Sequence, residues 1–341
     1  MREFGPVRLP HYDGRAAGPH SLLADVAAWT GSDAMRSLLE PYGGSLPGTG
    51  TVEDLAYLEE FSAVHWDFRA GRERHETAAK KLDPDQERGV TEAALALGLG
   101  ADAKPRLEHY THVLVLGGLV ASCLFRTRFA AELLAEGIGA DHVTGVGGFR
   151  PLGPTDREAA AMSGIQCGAY EVDAIEASLK HAFGIEGEPE VDEGGDPLLA
   201  PGRAWKVATY AAGPVKVRAV AAPSSQPDRR RADTVDTCRF WADEVVDLAP
   251  GDSVLVVTSA PYTAFQHCDA IAHMGLPYGV AVDTVGVDPA TLQEEHFRKE
   301  HSASGYLQEV RSAIRSMQRL YDTAYAAAQG QATAVSSAAA R

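Results

Sequence analysis

Unbroken apolar runs that stop at glycine or at small polar residues constrain this chain most. VLVLGG, Val113 to Gly118, has no polar face, the pattern of a strand buried on both sides in a parallel sheet. SVLVVTS, Ser253 to Ser259, repeats it near the other end of the chain. HVTGVGG, His142 to Gly148, is a third strand ending in glycines, and Trp205–Tyr210, Val215–Ala221 and Tyr278–Asp283 are further strand candidates. Helical patterns separate them: RTRFAAELLAEG closed by Gly137, then Thr155–Met162, Glu171–Phe183, Ala232–Asp247 and Thr263–Met274. Alternation of this kind predicts an α/β fold, a mostly parallel sheet with helices on both faces.

The flanks read differently. One helix is expected around Leu22–Leu39, and PYGGSLPGTG, Pro41 to Gly50, breaks it. Thr51 opens a helix of about five turns on the spacing of Leu55, Leu58, Phe61 and Phe68, and another fits Asp85–Leu97. A long helix over about Ser304–Ala327 carries the stripe Leu307, Val310, Ile314, Met317 and Tyr321. Arg311, Arg315 and Arg319 form a row on another of its faces, expected to be solvated. The tail QGQATAVSSAAAR is low in complexity and expected to be disordered. The organisation expected is therefore a helical segment over 1–105, the α/β domain over 106–290, a C-terminal helix over 291–328 packing on that domain and a tail over 329–341. GEPEVDEGGDPLLAPG, Gly187 to Gly202, is expected to be an acidic loop.

The net charge is −16, which argues against a nucleic-acid binder, since phosphate affinity comes from Lys and Arg. It equally disfavours docking on an anionic membrane. No apolar run reaches a bilayer-spanning length, and no signal peptide stands at the start, so a cytoplasmic protein is expected. The four cysteines, Cys123, Cys167, Cys238 and Cys268, are too dispersed for a zinc site and read as reduced, mostly buried thiols.

Ligands in such sheets bind beyond the carboxyl ends of the strands. Three loops lie there: Gly117–Gly118 to Ser122, Gly147–Gly148–Phe149–Arg150, and Thr258–Ser259–Ala260–Pro261–Tyr262. Neither glycine pair makes GxGxxG, and no Walker loop is present. The pairs give a ligand access to the backbone, or serve only to pack helix on strand. Arg126 and Arg128 open one helix, Asp156, Arg157 and Glu158 the next, and Asp228, Asp233, Thr234 and Asp236 a third. Acids in a first helical turn also serve as caps. No GxSxG elbow supports a Ser/His/Asp triad, and His267 and His273 read as structural.

The order of these pieces resembles the bacterial family of YdcF, SanA and ElyC. VLVLGG and the helix from Arg128 match its first strand and helix, and Val146–Gly147–Gly148 its second strand end. Arg157–Glu158–Ala159 matches its Ser-Glu-Ala, Asp228 to Thr237 its Glu-x-x-Ser-x-Asn-Thr-x-Glu-Asn, and Val257–Thr258–Ser259 its last strand. The likeness covers roughly residues 110–285. The sequence departs where the family carries a His and an Arg: Tyr262 stands near the first, Phe265 and Gln266 near the second. Two Asn positions are replaced by Asp233 and Thr237.

The resemblance implies a Rossmann-like three-layer sandwich of the soluble YdcF-like kind. It also implies a nucleotide-like ligand, with S-adenosylmethionine the implied cofactor. In that reading Gly117, Gly118, Ser122, Gly147, Gly148, Thr234, Thr258, Ser259, Tyr262 and Gln266 line the ligand, and Arg128 or Arg150 holds its carboxylate or phosphate. Glu158, Asp233 and Asp236 act as general acid/base or bind the ribose, in a transferase, hydrolase or lyase reaction. Two alternatives stand beside it. One is a metal-assisted hydrolase or phosphatase using the same three acids on a divalent ion. The other is a non-catalytic small-molecule-binding protein. The Gly/Pro-rich N-terminal part offers a surface for homo-oligomerisation.

Overall fold

The structure is a computed structural model and describes residues 4–15, 18–68, 81–101 and 103–339. The chain divides into two units. One comprises Met1–Ala103, Ala260–Pro277 and Asp288–Arg341, the other Lys104–Ser259 and Tyr278–Val287.

The first unit is helical. It contains α1 (Gly18–Thr30), α2 (Asp33–Leu39), α3 (Thr51–His65) and α4 (Pro84–Ala94). The single helix expected over Leu22–Leu39 is two, because the Ser32 hydroxyl accepts the Met35 N–H at 3.2 Å and starts a new helix after Gly31. α3 ends sooner than its apolar spacing suggested, at His65. Asp83 and Gln86 form a capping box ahead of α4, with Pro84 in its first turn.

The two later segments complete this unit with α9 (Thr263–Ala270) and α10 (Ala303–Ala339). Leu307, Val310, Ile314, Met317 and Leu320 of α10 are fully buried against α1, α3, α4 and α9. Tyr321 is not part of that stripe; its ring stacks on Tyr325 instead. The arginine row expected to be solvated is paired. Arg311 and Arg315 reach Glu59 of α3, at 3.7 and 3.4 Å, and Arg319 holds Asp269 at 2.8 Å. The tail expected to be disordered continues α10 to Ala339, in keeping with the high helix propensity of its alanines.

The second unit carries the sheet. Its strands are β1 (His109–Leu116), β2 (Gly139–Gly147), β3 (Glu190–Gly194), β4 (Trp205–Ala212), β5 (Val215–Ala221), β6 (Ser253–Ser259) and β7 (Ala281–Val287), ordered β7-β6-β1-β2-β5-β4-β3. The five strands from β7 to β5 are parallel, and β4 and β3 add an antiparallel edge. β3 lies inside the segment expected to be a loop: its residues are exposed up to the half-buried Gly194, so burial left no pattern to read, and pairing with β4 forms it. The helices are α5 (Val120–Ala135), α6 (Pro154–Met162), α7 (Glu171–Phe183) and α8 (Thr234–Phe240).

Successive residues of a strand face opposite sides. On β2, a Cβ placed on Gly145 would lie 2.5 Å from Ile175 and 2.8 Å from Leu179, so α7 packs on that face. Its neighbour Thr144 accepts the Trp241 Nε1–H at 3.2 Å, so the segment continuing α8 packs on the other. With both faces covered, β1 and β6 are buried almost throughout, as their apolar runs require. This is the Rossmann-like three-layer arrangement. The domain limits read from the sequence differ in two respects: Ala260–Pro277 groups with the helices, since its apolar face packs on α10, where Cys268 Sγ meets Met317 Sδ at 3.4 Å, and the C-terminal helix expected to pack on the α/β domain groups with the helical unit, packed on α1, α3, α4 and α9.

Candidate functional site

From β1 the chain runs through β2 to β5 on one side, then returns to β6 and β7 on the other. The topological switch point is therefore between β1 and β6. Arg126 occupies it. Its guanidinium is buried, 3 % exposed, and donates to the Leu116 and Gly117 carbonyls at 2.9 and 2.5 Å. It also donates to Ser259 Oγ at 3.0 Å from Nε and 2.8 Å from Nη2. One side chain thus ties together the ends of β1 and β6.

The choice of Arg128 from sequence is corrected. A helix turns about 100° per residue, so Arg126, four after Ser122, shares its face, whereas Arg128 is rotated away. Arg128 instead faces Glu132, at 3.6 Å on the surface of α5. The spacing from Ser122 was the signal that could have picked out Arg126.

Beside Arg126, three side chains converge at the ends of β1 and β2. Asp156 is 3 % exposed and accepts the Val120 N–H at 2.9 Å, capping α5. It also accepts the Gly153 N–H at 3.1 Å and Arg150 Nη1 at 3.0 Å. Arg150 Nη2 donates to the Gly118 carbonyl at 2.9 Å, and its Nε lies 3.4 Å from Glu171 Oε2. Glu171, the first residue of α7, was absent from the sequence-level site, where it read only as a helix start.

Burial raises the Glu171 carboxyl above the usual carboxylate range, and the Arg150, Arg126 and Arg231 charges only partly offset it. Burial acts the same way on Asp156, but the Val120 backbone N–H, the Arg150 guanidinium and the Gly153 backbone N–H outweigh it and hold that carboxyl low. Two carboxyls beside one arginine are thereby driven apart, the arrangement that separates an acid/base group from a structural anion. Burial pushes the nearby Cys123 thiol up to about 12, so it stays protonated.

The glycine pairs divide in role. A Cβ on Gly117 would lie 2.5 Å from the Val146 carbonyl oxygen and 2.7 Å from Glu171 Oε1. One on Gly147 would lie 3.1 Å from the Val172 backbone. These two glycines serve packing. Gly148 has only Glu171 Oε2 near it, at 4.0 Å, so its outer face stays open, whereas Gly118 is bounded by the Ser122 and Arg126 side chains, from 3.2 Å. Gly118, Ser122, Gly148, Arg150 and Ser259 are the sequence-level residues gathered here, with Arg126, Asp156 and Glu171 added.

The remaining expected residues lie elsewhere. Glu158 is exposed on α6. Asp233 and Asp236 form the capping box of α8, whose first residue is the exposed Thr234. Asp236 accepts Arg230 Nη1 at 2.5 Å and the backbone N–H of Asp233 and Ser225 at 3.1 and 3.2 Å. Thr258 is fully buried. Tyr262 and Gln266 belong to the helical unit, where the Tyr262 ring packs on Phe265 and His301. His267 is structural, its Nε2 2.7 Å from the Pro10 carbonyl oxygen. Among the described residues, no three His, Cys, Asp or Glu side chains group as a metal ion requires, so the three-acid metal site has no donor set. No helix of the described residues is long and apolar enough to cross a membrane.

Asp236 gives a pH prediction. Burial would raise it, but Arg230, Ser225 and the helix N-terminus outweigh that and lower it to about 2. A carboxyl lowered by folding stabilises above its unfolded pKa, about 3.9, and ceases to as the pH falls through its folded value. Asp236→Asn is expected to melt below wild type at pH 6, with the gap shrinking toward pH 2; a gap constant with pH would refute the ion-pair account.

Comparison with known proteins adds the lineage. No solved structure matches the chain. Residues 13–98, within the helical unit, match the family model of the Rv3785 N-terminal domain. The chain is 32 % identical to the uncharacterized protein Rv3785 of Mycobacterium tuberculosis, with 94 % of each chain covered. It is equally similar to an uncharacterized protein of Mycobacterium bovis, Mb3814. Identity at this level over nearly the whole of both chains means that the chain belongs to the Rv3785 family.

Proposed function

We propose that this chain is an enzyme that binds a nucleotide-like small molecule at the carboxyl ends of β1 and β2, with Glu171 as its general acid or base. One observation carries the reading: a carboxyl with burial-raised proton affinity, held by Arg150 at 3.4 Å, beside the open face of Gly148. A glycine without a Cβ lets a ligand lie against the backbone, and such sheets hold ligands beyond the carboxyl ends of their strands. Arg150, 22 % exposed, is the group that can turn toward a carboxylate or phosphate of the ligand. Glu171 takes the role that Glu158, Asp233 and Asp236 held in the sequence reading. The resemblance to the YdcF group rests on the same strand ends, and S-adenosylmethionine is the first ligand to test.

The test is calorimetric titration with S-adenosylmethionine, S-adenosylhomocysteine, nucleoside diphosphates and sugar nucleotides. A binder is expected among them, with binding lost in Gly148→Val, whose side chain would fill the open face. Turnover of that binder should fall by roughly a hundredfold or more in Glu171→Gln with Kd little changed, the usual worth of a positioned acid/base. Full turnover in Glu171→Gln would refute the catalytic role. Binding without turnover in wild type would instead make the chain a small-molecule-binding protein.

A further inference from the structure

A second group of polar side chains lies away from the strand ends, on the sheet face covered by α8. The register sets His112, His142 and Lys216 side by side across β1, β2 and β5, and Thr144 beside Arg218 in the next row that shares their face. His112 stacks on His142 with ring centroids 5.1 Å apart and meets the Trp241 ring edge-on at 5.2 Å. Arg218 is 9 % exposed and His112 3 %. Arg218 Nη1, His112 Nδ1 and His142 Nδ1 are all buried without a hydrogen-bond partner. No carboxylate pairs with Arg218 among the described residues, and burial alone depresses its guanidinium.

A guanidinium stays charged in a protein, and taking it out of water without a counter-ion is costly. Buried polar groups are otherwise nearly always satisfied, so three unsatisfied nitrogens on one face call for an acceptor. Nearby charges do not supply it. Asp252 lies 3.9 Å from His112, on Nε2 rather than Nδ1, and Asp141 is held by His109 at 3.2 Å. We propose that Arg218, with the Nδ1–H groups of His112 and His142, binds a compact oxyanion, a free phosphate or the phosphate of a small metabolite.

Proton linkage follows from the same geometry. Burial, His142 and Arg218 lower His112 to about 4, against the partial offset of Asp252 and Asp141. Burial, Arg218 and Lys216 lower His142 in the same way. An anion at the edge of these stacked rings favours their protonated forms, so its affinity must rise as the pH falls. Sulfate, whose own charge is constant near neutrality, isolates this effect.

The experiment is thermal unfolding of the full chain at fixed ionic strength with chloride, sulfate, inorganic phosphate or glycerol 3-phosphate. Sulfate and phosphate are expected to raise the melting temperature by a few degrees at concentrations far above Kd, and chloride not to. A larger shift with glycerol 3-phosphate would identify a phosphorylated metabolite, an equal or smaller one the free ion. In Arg218→Met the anion shift should vanish while the anion-free protein melts at or above wild type, because an unpaired buried charge has been removed. Arg218→Lys should keep a weakened shift, and His142→Gln should flatten its pH dependence. No shift in wild type, an undiminished shift in Arg218→Met, or an Arg218→Met protein that melts well below wild type would overturn the site.

Discussion

Asp156→Ala is expected to lower the unfolding free energy of the α/β unit by about 3 kcal/mol. The side chain is almost fully buried and accepts three hydrogen bonds. Two satisfy backbone N–H groups at the starts of α5 and α6, and a lost helix cap costs about 1 kcal/mol. The third neutralises Arg150, and removing one member of a buried pair costs about 3–5 kcal/mol when nothing else holds the survivor. Arg150 keeps Glu171 and the Gly118 carbonyl, so this part falls well below that range. Asp156→Asn should recover less than half, because its amide group presents N–H to partners that are all donors. Denaturant titration measures both variants. A loss under 1 kcal/mol in the alanine variant would show that Asp156 does not organise these strand ends. The same variant should perturb ligand binding, since it frees Arg150 to swing.

Gly117→Ala is expected to destabilise by about 3 kcal/mol, at the upper end of the usual overpacking cost, or to prevent soluble expression. Its Cβ would sit 2.5 Å from the Val146 carbonyl oxygen, which accepts the Gly117 N–H at 2.7 Å. Both atoms belong to paired backbones, so no rotamer change relieves the clash. The φ of Gly117 is not positive, so the demand is for space and not for a left-handed conformation. Gly148→Ala is the control: its nearest neighbour would be 4.0 Å away, and it should fold as wild type. Equal losses in the two variants would mean that the glycines share one role. A loss confined to Gly117 would confirm that one glycine packs the sheet while the other has space beside it.

The contrast explains how much of the site could be read from the chain. Gly117–Gly118 and Gly147–Gly148 mark the strand ends in sequence, yet nothing local distinguishes the glycine of each pair that faces backbone from the one that does not. Asp233 and Asp236 have the residue types and spacing of an acid pair and also of a capping box; Arg230 and the first turn of α8 use them as the latter. Glu171 looked like an ordinary helix start because its environment comes from Arg150 and Gly117, 21 and 54 residues away in the chain. Arg218 stands in the strand candidate Val215–Ala221 with nothing local to mark it as buried, and its place beside Thr144 comes from the register of β2 and β5.

By itself the sequence determined the elements whose patterning is local. β6 at Ser253–Ser259, β5 at Val215–Ala221 and α7 at Glu171–Phe183 fall where their apolar runs and periodicity place them, and with them the α/β class. The tertiary structure alone decided which elements meet. It assigned Ala260–Pro277 to the helices, paired the exposed β3 onto the sheet edge, and put Arg126 rather than Arg128 at the switch point. The physical reason is common to all three. Backbone propensity and hydrophobic period act over a few residues, whereas the desolvation and pairing that give a charge its role depend on neighbours the chain brings from afar.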